Sequence, residues 1–187
     1  MSTSPRPLEP VLHFAPELLL RAQAVRGVIL DVDGVLTDGG LYLAAEGEVL
    51  KRFDSLDGHG LKLLRQAGLT VMVVSGRDSA ALRARLGALG ITRLHLGCED
   101  KWPAAEALLA QQSLSWDEIA AMGDDWPDLP LLRRAHLACA PAQAHVQVRV
   151  LAHHVTQARG GHGAVRELCD LLLVAGGHYS RLLTQLP

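Results

Sequence analysis

The sequence predicts an α/β fold: a doubly wound parallel sheet with a small β-hairpin insertion and no large cap domain. Three observations predict it. From residue 28 onward, short apolar runs alternate with helix-length segments, the pattern of parallel strands joined by helical crossovers. Residues 41–53 break that alternation: Leu41-Tyr-Leu43 and Val49-Leu-Lys-Arg-Phe53 flank Ala-Ala-Glu-Gly-Glu, as the two arms of a hairpin flank a turn. Between Asp33 and Ser75 there is room only for that hairpin and one helix. The 187 residues suit one domain whose core buries roughly 70% of the unfolded surface.

The elements follow in order. Residues 1–10 hold three Pro and read as a loose tail. Pro16 to Ala24 reads as a short helix with Pro in its first turn. These make an N-terminal tail and short helix (1–25) ahead of the main domain (26–176). Val28 to Val32 is a short apolar run of the buried parallel-strand kind. After the hairpin, Leu61, Leu64 and Leu69 mark a helix leading into a strand, Thr70 to Val74. Ala80 to Leu89 is a helix stopped by Gly90, and Leu94 to Leu96 a short strand. Trp102 to Gln112 is a helix with Pro103 at its start. Ile119 to Met122 is a strand, Leu129 to Ala135 a helix and Leu137 to Ala140 a strand. Val155-Thr156 ends a further strand, and Gly163 to Ala175 is the last helix. Residues 177–187 read as a C-terminal tail.

Composition excludes several classes. With 49% hydrophobic and 20% charged residues, the chain is not disordered. A formal net charge of −2 argues against a nucleic-acid or membrane-surface binder. No run approaches the ~20 apolar residues of a membrane span, and no leader pattern is present. Cys98, Cys139 and Cys169 are odd in number, with no C-x-x-C pair, which suits a reducing compartment; the expected location is cytoplasmic. Only Lys51, Lys62 and Lys101 among the 18 basic residues are lysine.

In a parallel α/β sheet, ligands bind beyond the carboxyl ends of the strands. The first strand is followed by Asp31-Val-Asp33-Gly-Val-Leu-Thr37-Asp38 and the next by Ser75-Gly-Arg77-Asp78. Gly97-Cys-Glu-Asp-Lys101 and Gly123-Asp124-Asp125-Trp-Pro-Asp128 follow the later ones. Taken singly, each Asp is more often a turn or cap residue. Five at two strand ends are not, and their mutual repulsion calls for a divalent cation. Hard oxygen donors with no Cys or His among them point to Mg²⁺. Ser75 offers a hydroxyl. Lys101 is a cation at a helix start, unfavourable there without an intervening anion. A carboxylate nucleophile, a second acid two residues on, a hydroxyl, a cation and a metal-binding acid are the parts of phosphoryl transfer through an aspartyl-phosphate.

These four segments resemble the haloacid dehalogenase superfamily of phosphatases, in which a Rossmann-like sheet carries the site. A closer resemblance spans residues 26 to 175. It rests on Asp38-Gly, Gly47-Glu48, Lys51, Phe53, Asp57-Gly-x-Gly60, Lys62, Ser75-Gly-Arg-Asp78, Arg85, Leu89-Gly-Ile91 and Gly160-Gly-x-Gly-Ala-Val-Arg-Glu167. That set is similar to the 3-deoxy-D-manno-octulosonate 8-phosphate phosphatase family, which acts in lipopolysaccharide biosynthesis as a Mg²⁺-dependent homotetramer whose hairpins form a barrel.

The resemblance implies Asp31 as nucleophile and Asp33 as general acid/base. Asp31, the Asp33 main-chain carbonyl and Asp124 would hold Mg²⁺, with Asp125 and Asp128 as supporting acids. Ser75 and Lys101 would bind the phosphoryl group. Asp54, Ser55, Leu56, Asp57 and Gly58, with Lys62, Arg77, Arg85 and Lys101, would contact the sugar phosphate. Leu56 stands where one common form of the family has Arg, so Arg85 or Lys62 would take the sugar carboxylate. Arg159-Gly-Gly-His-Gly163 and the residues beyond Gly176 would close over a neighbour's site. Lys101 and Lys62 thus have expected tasks, whereas Lys51 reads as incidental. Two rivals stay open: a phosphatase for a nine-carbon sugar acid 9-phosphate, and a non-catalytic oligomerisation module.

Overall fold

A computed structural model describes residues 9–45 and 47–185. The expected loose tail apart from Glu9 and Pro10, Glu46 of the expected turn, and residues 186–187 of the expected C-terminal tail lie outside the described residues. The elements are α1 (Pro16–Ala22), β1 (Gly27–Leu30), β2 (Tyr42–Ala44), β3 (Gly47–Leu50), α2 (Ser55–Gln66), β4 (Thr70–Ser75), α3 (Ala80–Ala88) and β5 (Arg93–Leu96). They continue with α4 (Lys101–Gln112), β6 (Ile119–Met122), α5 (Leu129–Leu132), β7 (Leu137–Ala140), α6 (Val146–Leu151), β8 (His154–Val155), α7 (Ala164–Ala175) and α8 (Tyr179–Thr184).

Six strands form a parallel sheet in the order β5-β4-β1-β6-β7-β8, and β2-β3 form a separate antiparallel pair. The strands read as continuous apolar runs because both faces are covered. Side chains alternate between two cores. Val28, Leu30, Val71 and Val73 face the layer containing α2, α3 and α7, while Ile29, Met72 and Val74 face α4 and α5. No described helix is long and apolar enough to cross a membrane.

Two helices were not read from the sequence. Residues 146–151 form α6, although Val-Gln-Val-Arg-Val alternates as a strand does. Val148 is buried, and the His145 ring accepts from the Gln147 N–H at the helix start; packing and a cap override β-branched propensity. The expected C-terminal tail is helical over Tyr179–Thr184, because Leu182 is buried in the α7-side core and Tyr179 packs against it.

Candidate active site

The sheet order explains the convergence of the acids. β1 lies between β4 and β6, so Asp31, Ser75 and the segment 123–128 leave adjacent strands at the same edge. Lys101 opens α4 just beyond β5. These residues line a cleft of about 430 Å³ formed by Asp31, Asp33, Gly39, Ser75, Gly76, Arg77, Glu99, Lys101, Asp124, Asp125, Pro127 and Asp128.

Carboxylate oxygens of Asp31, Asp124 and Asp128 lie within 4.8 Å of one another. At that spacing each ionised pair repels by about 3–4 kcal/mol at an effective dielectric near 20. Lys101 Nζ donates to Asp31 Oδ1 and Asp128 Oδ1, both at 2.7 Å, and all three side chains are buried. One ammonium cannot neutralise three carboxylates. Burial, then the neighbouring Asp31, Asp128 and Asp125 charges, push the Asp124 carboxyl up to about 7. Burial and Asp128 raise Asp31 against the opposing pull of Lys101. In turn, Asp31 and Asp128 raise Lys101 despite its burial. A protonated carboxyl or a divalent cation relieves the excess negative charge, so this donor set fits a hard cation.

Local structure holds the set in place. Gly34 follows Asp33 with φ +86°, and a Cβ there would lie 1.9 Å from Asp124 Oδ2. Only glycine combines that backbone with that approach. Asp128 turns back on its own segment: Oδ2 accepts from the Asp124 N–H at 3.0 Å and the Asp125 N–H at 3.3 Å. Asp125 itself is exposed at the cleft rim. Ser75 is buried, and its Oγ accepts from the Arg77 N–H at 3.2 Å.

A family model for haloacid dehalogenase-like hydrolases matches residues 97–168. The 3-deoxy-D-manno-octulosonate 8-phosphate phosphatase of Yersinia pestis is 41% identical over 161 residues, covering 86% of this chain and 86% of that protein. This chain belongs to that phosphatase family. Solved structures agree. The phosphatase of Moraxella catarrhalis, in complex with magnesium ion, phosphate ion and KDO, matches with a TM-score of 0.88 at 33% identity. That match covers 91% of this chain and 98% of the other. The cobalt-bound phosphatase of Haemophilus influenzae matches with a TM-score of 0.82 at 41% identity, covering 84% and 92%.

The expected substrate loop lies outside the acid cleft of the single chain. None of Asp54, Ser55, Leu56, Asp57, Gly58, Lys62 or Arg85 lines the acid cleft. Asp54 is the N-cap of α2, accepting from Leu56 N–H at 2.7 Å. Ser55 and Lys62 are exposed on α2. Leu56 borders a separate cavity of about 560 Å³ between residues 12–18 and α7. Asp57 is buried and accepts from the Arg166 N–H at 2.7 Å, at the start of α7; burial pushes its carboxyl up to about 6. The Arg85 guanidinium donates to the Asp54 carbonyl at 3.1 Å, lies over the Phe53 ring and crowds Gly58. It braces the loop from behind rather than reaching the cleft. Arg77 does reach it, with Nε 3.6 Å from Asp33 Oδ2.

The expectation for Lys51 is corrected, and residues 159–163 make contacts within their own chain. Gly161 N–H donates to the Val35 carbonyl, and the Arg52 guanidinium donates to the Gly161 carbonyl. The Gln143 amide bridges Gly160 N–H and the Gly34 carbonyl at 2.8 and 2.7 Å. The segment braces the Asp31–Asp38 loop. Lys51 is not incidental: it is buried, with Nζ 2.5 Å from Asp33 Oδ1. The scarcity of lysine was the signal that could have found it. Its partner stands 18 residues earlier, so no local pattern marks it.

Proposed function

We propose that this chain is a phosphoric monoester hydrolase that converts 3-deoxy-D-manno-octulosonate 8-phosphate to the free sugar acid and phosphate. The observation that carries this reading is the cluster of Asp31, Asp124 and Asp128 around Lys101 in one cleft. The named activity of relatives matching most of the chain, and the magnesium, phosphate and KDO in one of them, supply the substrate.

Asp31 and Asp124, with the Asp33 main-chain carbonyl, would hold Mg²⁺. The bound ion supplies charge neutralisation and Lewis-acid polarisation of a phosphoryl oxygen. The chain's own groups do the rest. Asp31 attacks phosphorus in line, and the bond to the sugar oxygen breaks with its electron pair on that oxygen. Asp33 gives that oxygen a proton, then takes one from the water that releases phosphate from Asp31. Lys101 and the Ser75 hydroxyl bind the transferring group, and Asp128 holds Lys101 in place. Arg77, at the rim, meets the sugar phosphate.

The hairpin carries Leu41, Tyr42, Leu43, Val49 and Leu50 exposed, a grouping of apolar side chains of the kind that marks an interaction surface. We infer a homotetramer in which hairpins associate and a neighbouring subunit covers the cleft, excluding water. Residues 54–58 with Lys62 meet substrate only in such an assembly. The place of action is the cytoplasm, in lipopolysaccharide biosynthesis.

Phosphate release from the octulosonate 8-phosphate and from a nine-carbon sugar acid 9-phosphate, each with Mg²⁺, tests the reading. The expected kcat/KM favours the eight-carbon substrate. A preference for the nine-carbon substrate moves the assignment there, and no turnover of either favours a non-catalytic module.

A further inference from the structure

The hairpin buries almost none of its side chains against its own chain. Tyr42, Leu43, Val49 and Leu50 are exposed, yet Lys51, which follows β3, is only 7% exposed. Lysine is seldom buried so fully unless paired, and this one has two partners. Its Nζ lies 2.5 Å from Asp33 Oδ1 and 3.1 Å from Glu48 Oε2. Thr37 Oγ1 reaches the same Asp33 oxygen at 3.5 Å. On the other side, Arg77 Nε stands 3.6 Å from Oδ2 on a side chain 52% exposed, whereas the Lys51 side chain is 1% exposed. The firm contact on Asp33 is therefore the one from Lys51. Glu48 balances the added charge, so the pair orients Asp33 while adding little net charge.

We propose that Lys51 is a positioning residue for Asp33. It holds Oδ1 and leaves Oδ2 to give up and take back the proton, so that the seat of the hairpin sets the geometry of the acid. This rests on the proposed phosphatase reading. In the first half-reaction the Oδ2 proton passes to the sugar oxygen as the P–O bond breaks and its electron pair stays on oxygen. In the second, Oδ2 accepts a proton from water as the water oxygen bonds to phosphorus and the bond to Asp31 breaks.

The test is a double-mutant cycle on the Mg²⁺-loaded enzyme with Lys51→Met, Asp33→Asn and the double variant. Wild type is assayed first, so absence of turnover there falls on the phosphatase reading and not on Lys51. Lys51→Met is expected to lower kcat about 10- to 100-fold with KM within about threefold, the scale of a misplaced catalytic group. In the Asp33→Asn background the same change is expected to do almost nothing further. Lys51→Arg, which keeps the charge, is expected to recover part of the loss. Mg²⁺ affinity by calorimetry is expected to stay within about threefold of wild type in Lys51→Met and Lys51→Arg. Multiplying losses in the double variant, or a rise in KM with kcat intact, overturns the proposal. If Lys51→Met fails to fold, Lys51→Gln runs the same cycle.

Discussion

Lys101 balances two of the buried carboxylates in the cleft. Its ammonium sits between Asp31 and Asp128 in a buried site, and Asp124 adds a third carboxylate. Removing one member of a buried ion pair costs about 3–5 kcal/mol, because the remaining charges stay desolvated. Lys101→Met is therefore expected to lose about that much stability without added cation above pH ~8, by urea unfolding. Asp31 and Asp124 are raised, Asp124 to about 7, so below that range they take up protons and need the lysine less. The loss is expected to shrink near pH 5; equal losses at both pH values would contradict the charge balance described. Lys101 was legible from its place at a helix start. Lys51 was not, because burial beneath a hairpin is a tertiary property. Asp54 has a structural task that the sequence reading did not name: it caps α2, the common role of an Asp before a helix.

At the scale of elements, strand ends were readable because buried parallel strands leave a plain apolar signature. β1 stops at Leu30, and the two acids follow at once. Less readable were α6, whose alternating valines mimic a strand, and the brace formed by residues 159–163. A glycine-rich stretch in sequence suggests freedom. Here glycine permits close contact: a Cβ on Gly160 would lie 1.8 Å from the Gly34 carbonyl oxygen. Gly160→Ala must displace the Asp31–Asp38 loop or itself. The expected result is a fall in kcat of about 10²-fold, the scale of a 1 Å misplacement, with Lys101 and Asp128 untouched. Wild-type kcat in Gly160→Ala would show that the brace does not set the site.

For the whole molecule, a formal charge of −2 conceals a concentrated acidic cleft. Asp124 has its pKa raised from 3.8 to about 7. The folded cation-free protein therefore binds a proton more tightly there than the unfolded chain does. That contribution to stability is full below the ordinary carboxylate range and is lost as pH rises through about 7. Mg²⁺ competes with the same proton. Its affinity by calorimetry is expected to be at least about tenfold weaker near pH 6 than near pH 8, the effect of displacing one proton, and weaker still where Asp31 gives up a second. A pH-independent affinity would mean that the raised acids are not the ligands.

The central claim is that Asp31 forms the bond to phosphorus. The most direct measurement is phosphate release from the octulosonate 8-phosphate with Mg²⁺, by wild type and by Asp31→Asn. An amide in place of the carboxylate keeps the shape and removes the nucleophile, so turnover in Asp31→Asn is predicted to fall below detection while wild type releases phosphate. Undiminished turnover in Asp31→Asn would contradict the account.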